Sequence, residues 1–330
     1  MYIDMFDIKS TFSRVFVVLF AFLGCGELWA DTALGNEPIS PLPTVASLNL
    51  DENKVKLGER LFTDTRFSKD NSTSCSSCHQ VEKGGADGLK RSKGVNGQEG
   101  DINTPSVLNS GLNFKQFWNG RSASLEEQVD MVVHNPKELD MSWPTLTQVF
   151  AADTELKKLF AASYPTGITA ENIQNALAIY ERSLLTPSRF DRYLQGETEA
   201  INERELKGYQ LFKNYGCVAC HQGANVGGNM FQKFGAMDDY FGKRGNITDA
   251  DMGRYSVTKK EEDKHVFKVP SLRNVALTAP YFHDGSAETL EAAIDVMFRH
   301  QLERTGTDED KKLIAAFLQT LTGEKMEVKP

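Results

Sequence analysis

Two pentapeptides could carry the chemistry of this chain, Cys75-Ser-Ser-Cys78-His79 and Cys217-Val-Ala-Cys220-His221. Thiols three positions apart on one helical turn can reach the two vinyl groups of a single haem. The adjacent imidazole then sits beneath the iron as its proximal ligand. A lone C-x-x-C can act as a redox dithiol, and paired C-x-x-C units can build a zinc site. Zinc has no need of a His after the second Cys in both copies, and no thioredoxin-like βαβ pattern surrounds either motif. Both motifs therefore predict covalently bound haem c, two per chain.

The elements that must position these motifs are duplicated. Gly58-Glu-Arg-Leu-Phe62 precedes the first and Gly208-Tyr-Gln-Leu-Phe212 precedes the second. Downstream, Pro105-Ser-Val-Leu-Asn109 recurs as Pro270-Ser-Leu-Arg-Asn274. Phe117-Trp-Asn-Gly120 with Leu125-Glu126 recurs as Phe282-His-Asp-Gly285 with Leu290-Glu291, again 165 positions on. The expected fold is mainly α: two tandem cytochrome c-like domains, residues 31–195 and 196–330, each around one haem and joined near 188–200. Residues 307–321 place Leu313, Ile314, Phe317, Leu318 and Leu321 on one stripe, with Thr307 and Asp310 as a capping box and Gly323 as a stop. Residues 169–184 and 287–299 show similar periodicity. The Gly-, Asn- and Pro-rich stretches 80–115 and 222–282 read as long loops, and no sheet is expected.

Lys9 and Arg14 precede the apolar run Val15–Leu23, which gives way to Gly24-Cys-Gly-Glu-Leu-Trp-Ala30. This is the pattern of a secretory signal over residues 1–30, cut after Ala30, and it predicts a periplasmic protein. The apolar run is too short to cross a bilayer, which takes about 20 residues. Phe22-Leu-Gly-Cys25 distantly resembles a lipoprotein box, but Phe22 is a poor first residue, so anchoring at Cys25 is the lesser reading. The 330 residues suit about two domains, and 40% hydrophobic with 25% charged residues is ordinary globular composition. A net charge of −8, without clustered Lys and Arg, argues against a nucleic-acid partner.

A haem that only relays electrons is ordinarily six-coordinate, whereas one that does chemistry needs an open position. In the second half Met297, downstream of the repeated Phe-x-x-Gly element, is the expected sixth ligand. Its repeat partner is Val132, which cannot ligate iron, and Met131 is turned about 100° away on a helix. The first haem is therefore expected to be open, with Gln128, His134 and Glu138 nearby in sequence. A lone Glu is ordinarily a solvated surface residue. Beside an open haem, a carboxylate can take a proton from bound peroxide and return it to the leaving oxygen.

The chain resembles the bacterial di-haem cytochrome c peroxidases over nearly all of the expected mature length. The stretches that carry the resemblance are Leu57–Phe62, Cys75–His79, Asn103-Thr-Pro105, Phe117-Trp-Asn-Gly-Arg121, Asn135-Pro-Lys-Glu138, Cys217–His221 and Leu272–His283. It implies that the haem of His221 and Met297 takes electrons from a small mono-haem cytochrome c or a cupredoxin. It implies that the haem of His79 reduces hydrogen peroxide to water, with Gln128 and Glu138 as distal pair and Glu138 as acid/base. By the same resemblance Trp118 bridges the haems, and Asn103 with the carbonyls of Thr278 and Pro280 forms an inter-domain calcium site. Homodimers are common in the family, so a homodimer is an expectation here too.

The chain departs from the family pattern at one place. Many members carry a His on the loop before Asn103 that blocks the first iron until the other haem is reduced; here that loop reads Ser92–Gly100, with Val95 in its place. The departure predicts a five-coordinate resting haem that is active without reductive activation, with His134 the substitute ligand should the iron prove blocked. His265 and His300 read as surface residues, and His283 as a contact to a haem propionate. Two rival readings stand beside the peroxidase. One is the related di-haem group that lacks the loop His and oxidises side chains of a partner protein; its best-known member has Tyr where this chain has Met297. The other is a non-enzymatic di-haem electron-transfer cytochrome, which leaves Gln128 and Glu138 without a role.

Overall fold

The computed structural model describes residues 37–324; the signal segment 1–30 and Cys25 lie outside the described residues. The fold is mainly helical. In the first half come α1 (Glu52–Phe62), the short α2 (Cys75–Cys78), α3 (Leu125–His134), α4 (Trp143–Ala151), α5 (Thr154–Ser163) and α6 (Ala170–Ser183). Next follow α7 (Arg189–Leu194), α8 (Glu203–Asn214), α9 (Tyr240–Arg244), α10 (Tyr255–Thr258), α11 (Leu290–Val296) and α12 (Asp308–Gln319). The expected helices at 169–184 and 307–321 are present within a few residues of those bounds. Thr307 and Asp310 form the capping box read from the sequence, satisfying the orphan N–H groups of α12. One small sheet was not expected: β1 (Phe231–Lys233) pairs antiparallel with β2 (Val266–Lys268), Gln232 opposite Phe267. Three residues per strand are too few for alternation to show in the sequence.

Two large apolar clusters form, beside a small third one of Tyr240, Phe241 and Phe267. The first gathers Leu57, Leu61, Phe62 and Phe67 with Phe150, Phe160, Ile173 and Leu177, all from 57–177. The second gathers Phe190, Tyr209, Phe212, Ile294, Phe298, Ile314 and Phe317, together with Ile39 from upstream of the first. Burying each large apolar side chain contributes roughly 1.5–3 kcal/mol, and this is the main force holding the helices. In both halves the helix before the haem motif packs on a later helix, α1 on α6 and α8 on α12. The repeated glycine is what lets them meet. A Cβ on Gly58 would stand 2.1 Å from the Ala176 carbonyl oxygen, and one on Gly208 would stand 2.0 Å from that of Leu313.

The repeats match in backbone detail as well. Asn109 and Asn274 are both left-handed, at φ 59° and 60°, as are Phe117 and Phe282 at 65° and 71°. Both asparagines are fully buried. Both donate Nδ2–H to the hydroxyl oxygen of one residue, Thr186, each at 2.8 Å. Thr186 therefore stands where the two repeats converge. Replacing Thr186 with Val strands two buried amide donors, each worth about 1–3 kcal/mol when left unpaired. Urea unfolding of T186V is expected to show a loss of that size; an unchanged midpoint would show that the shared hydroxyl is dispensable.

Candidate haem sites and the seam between them

Each attachment motif forms a turn in which the His N–H donates to the carbonyl of the first Cys, at 2.9 Å for His79 and 3.0 Å for His221. That turn brings both sulfurs and the imidazole to one side. None of the four motif cysteines is in a disulfide. Burial pushes the Cys78 thiol up to about 11 and the Cys217 thiol up to about 12. Such surroundings favour neutral sulfur, as in a thioether, over the thiolate a zinc ion requires. Each imidazole aims Nδ1 at a carbonyl oxygen, His79 at Gly85 (3.2 Å) and His221 at Val226 (3.4 Å). With Nδ1 donating, the Nε2 lone pair is left for a metal. The residues present fit a covalently attached haem at both motifs.

The halves differ above these histidines. In the second, a cavity of ≈ 470 Å³ is lined by Cys217, Cys220, His221 and Met297, so both expected axial ligands face one space. Met297 opens a π-helical turn, Met297–Gln301, at the end of α11. An added residue per turn re-aims side chains, and such turns recur at functional sites. In the first half Val132 takes the equivalent repeat position and, like Cys75, packs against the first apolar cluster. Gln128 lies one turn earlier on α3, partly buried, and its amide makes no hydrogen bond among the described residues.

Glu138 follows α3 on a tight turn and accepts a hydrogen bond from the Asn135 amide at 2.7 Å. Burial pushes its carboxyl up, while the charge of Arg121 and the Asn135 hydrogen bond pull it back without cancelling that effect. It lies close enough to Cys75 and Cys78 for its charge to oppose the ionisation of both thiols. Arg121, whose motif was read but given no role, is half-buried, with its guanidinium 3.3 Å from the Phe117 ring centre. Val95 is fully buried, and its N–H donates to the Glu138 carbonyl at 2.8 Å. The loop position that would carry a blocking His is thus fixed against the Glu138 turn by an apolar side chain. His134 is not brought there. It is exposed, its Nδ1 2.9 Å from the Asp130 carbonyl and its ring edge-on to Trp143.

The halves meet at a seam built from repeat-equivalent residues. Asn103 N–H donates to the His283 carbonyl at 2.7 Å, and Lys268 N–H donates to the Trp118 carbonyl at 2.8 Å. Asn103 pairs with Lys268 in the repeat, and Trp118 with His283, so the two bonds are copies of each other. The Trp118 indole N–H donates to the Asn103 carbonyl at 2.9 Å, and its ring stands edge-on to His283 with centres 6.3 Å apart. Asn103, Thr278 and Pro280 line the same cavity as Trp118. The Asn103 Nδ2 is engaged by the carbonyls of Leu89 and Lys90, which leaves its Oδ1 without a partner among the described residues.

Two histidines sit differently from their sequence reading, and a third, His283, has a partner within the chain. His283 is buried with Nε2 2.8 Å from Asp251, so a carboxylate of the chain already engages one of its nitrogens. His265 is half-buried and stacked on Phe241 at 4.2 Å, with Nδ1 2.8 Å from the Asp251 carbonyl. His300 is mostly covered and lies 2.9 Å from Asp238. Both are half-buried rather than surface residues, His265 stacked on Phe241 and His300 edge-on to Tyr240, a packing that local pattern does not show. Asp251, His283 and Asp284 could converge on a metal. Arg244 already supplies the cation there, at 2.6 Å from Asp251 and 2.7 Å from Asp284.

A helical fold with duplicated C-x-x-C-H turns, with Met297 facing His221 across a cavity in one half and Val132 at the matching position of the other, is that expected of a di-haem c-type protein. The sequence profile described as di-haem cytochrome c peroxidase matches residues 52–199. Cytochrome c551 peroxidase of Nitrosomonas europaea is 42% identical over 320 residues, covering 96% of this chain and 94% of that protein. Cytochrome c peroxidase Ccp of Escherichia coli K12 is 45% identical over 290 residues, covering 87% of this chain; the chain spans 62% of the length of that relative. Among solved structures, a MauG-like protein associated with microbial copper homeostasis superposes with TM-score 0.76 at 29% identity, over 92% of this chain and 98% of that one. The chain belongs to the di-haem cytochrome c peroxidase family.

The Asn135 amide favours the charged form of Glu138, so in Asn135→Leu the carboxyl is expected to titrate at still higher pH, read from its infrared carbonyl stretch. A carboxyl raised above its unfolded value contributes stability that is present at low pH and lost as pH rises through its folded value. The variant should therefore lose stability over a wider span of pH. An unmoved titration would show that the 2.7 Å contact is not the one that holds the carboxylate.

Proposed function

We propose that this chain is a periplasmic peroxidase that reduces hydrogen peroxide to water with electrons from a small mono-haem cytochrome c or a cupredoxin. In this reading it folds as two tandem cytochrome c-like domains, residues 31–195 and 196–330, each holding one covalent haem c. The observation that carries the proposal is the asymmetry between the halves: Met297 shares a cavity with His221, whereas Val132, at the matching repeat position, packs against the first apolar cluster. When bound, the haems supply an open iron in the first domain and an electron relay in the second.

The chain's own residues do the rest. Cys75, Cys78, Cys217 and Cys220 fix the two groups, and His79 and His221 hold their proximal faces. Glu138, whose carboxyl burial pushes above the usual carboxylate range, takes the proton from one peroxide oxygen and delivers it to the other, so that water rather than hydroxide departs. The Gln128 amide orients the peroxide. Trp118, bonded to Asn103 on one side and to Lys268 on the other, bridges the two domains for electron passage. Two electrons and two protons enter for each peroxide reduced to two waters. Asn103 Oδ1 with the carbonyls of Thr278 and Pro280 would suit calcium, a hard cation that takes oxygen ligands. A homodimer completes the reading.

Relatives with peroxidase names are 42% and 45% identical, against 29% for the MauG-like structure. Oxidation of a partner protein is therefore the second reading, supported by the buried Val95 that both groups could share. Fully oxidised holoprotein mixed with peroxide and reduced cytochrome c, without pre-reduction, is expected to oxidise the donor at once. A reduced donor beside a long-lived oxidised protein would favour the second reading; a requirement for half-reduction would overturn the meaning given to Val95. Val95→His should convert the resting first haem to low-spin six-coordinate and make activity depend on prior reduction. Glu138→Gln should lower turnover by roughly 10²–10⁴, and an intact rate would remove Glu138 from the mechanism.

A further inference from the structure

Lys268 ends β2, is only 7% exposed, and lines the cavity shared by Cys217, Cys220, His221 and Met297. Its backbone N–H is held by the Trp118 carbonyl at 2.8 Å. Its ammonium makes no ion pair and no hydrogen bond among the described residues. The other buried charges of this half are matched. Asp191 pairs with Arg273 at 2.8 Å, Glu205 with Arg189 at 2.8 Å, and Asp251 with Arg244 at 2.6 Å. Burial lowers the Lys268 ammonium to about 8, and no acid of the chain offsets it. A buried cation without an anion is costly, so something outside the polypeptide is expected to complete the pair.

We propose that Lys268 is the counter-ion of a haem carboxylate in the second cavity, and so ties that haem to the backbone of Trp118. The inference rests on the reading of two covalent haems. A c-type haem is joined through its vinyl groups, so its two propionates remain as the anions it brings. No Asp or Glu lines the cavity that Lys268 faces, so the polypeptide offers no negative side chain there. The repeat partner of Lys268 is Asn103, a neutral residue, so the cation belongs to the electron-entry half alone. A positive charge there disfavours the oxidised, more positive iron and sets the second haem at higher potential than it would otherwise have.

The test uses holoprotein. Pyridine haemochrome analysis of the wild type first counts haems; fewer than two per chain would overturn both the function and this inference. Spectroelectrochemical titration of Lys268→Met should then show the Met-ligated haem with a lower potential. Its equilibrium with a one-electron mediator should shift about tenfold toward the oxidised form, about 59 mV. Lys268→Arg keeps the charge and should stay within twofold of wild type. A Lys268→Met potential within twofold of wild type, or a shift confined to the first haem, would overturn the proposal while leaving the peroxidase reading intact. If Lys268→Met does not fold, the wild type decides through redox-difference infrared spectra with ¹³C-labelled propionates. An ion-paired carboxylate band that changes in Lys268→Arg is expected, and a free solvated carboxylate would overturn it.

Discussion

Much of the arrangement depends on the pair of equivalent backbone hydrogen bonds that joins the repeats, Asn103 to His283 and Lys268 to Trp118. Each links a residue just before one repeated proline to the aromatic position of the other repeat. Two copies of one bond, reversed in sense, fix the two halves in both distance and rotation, which a single contact could not do. Thr186, which accepts from Asn109 and Asn274, adds a third point at the same convergence. The indole of Trp118 is thereby held edge-on to the imidazole of His283.

Within that frame the halves were free to diverge at side chains while keeping their backbones. Left-handed turns at Asn109 and Asn274, and glycine contacts at Gly58 and Gly208, are shared because close approach and positive φ leave little choice of residue. Positions that face the cavities carry the differences: Val132 against Met297, Trp118 against His283, Asn103 against Lys268. Leu108 is matched by Arg273, whose guanidinium is wholly buried and bound to Asp191 at 2.8 Å through both nitrogens. That ion pair also reaches the amide of Leu42, so the segment before the first repeat is drawn onto the second half. The apolar first half has no such polar tie at this position.

Electrostatics separate the sites as clearly as their ligands do. In the first half a carboxyl, Glu138, is raised by burial and moderated by Arg121, which suits a group that must exchange a proton. In the second, the acids are held charged by guanidinium partners, and the unmatched group is a cation, Lys268. One pocket is arranged around a movable proton and the other around a fixed charge.

The sequence by itself determined the attachment turns, the duplication, the long helices and the absence of a second ligand at Val132. Each is a local matter: thiol and imidazole spacing, a capping side chain, an apolar stripe, or a residue unable to bind iron. Val95 was legible as a departure from pattern, but its burial against Glu138 appeared only when loop and turn met. The tertiary structure alone decided the short β pair, the packing of His265 on Phe241 and of His300 on Tyr240, and the pairing of His283 with Asp251. It alone showed Phe190, Tyr193 and Leu194, on the near side of the expected boundary at 195/196, packing with the second cluster. The isolation of Lys268 is likewise invisible in sequence, because whether a buried charge has a partner depends on which remote side chains fold around it.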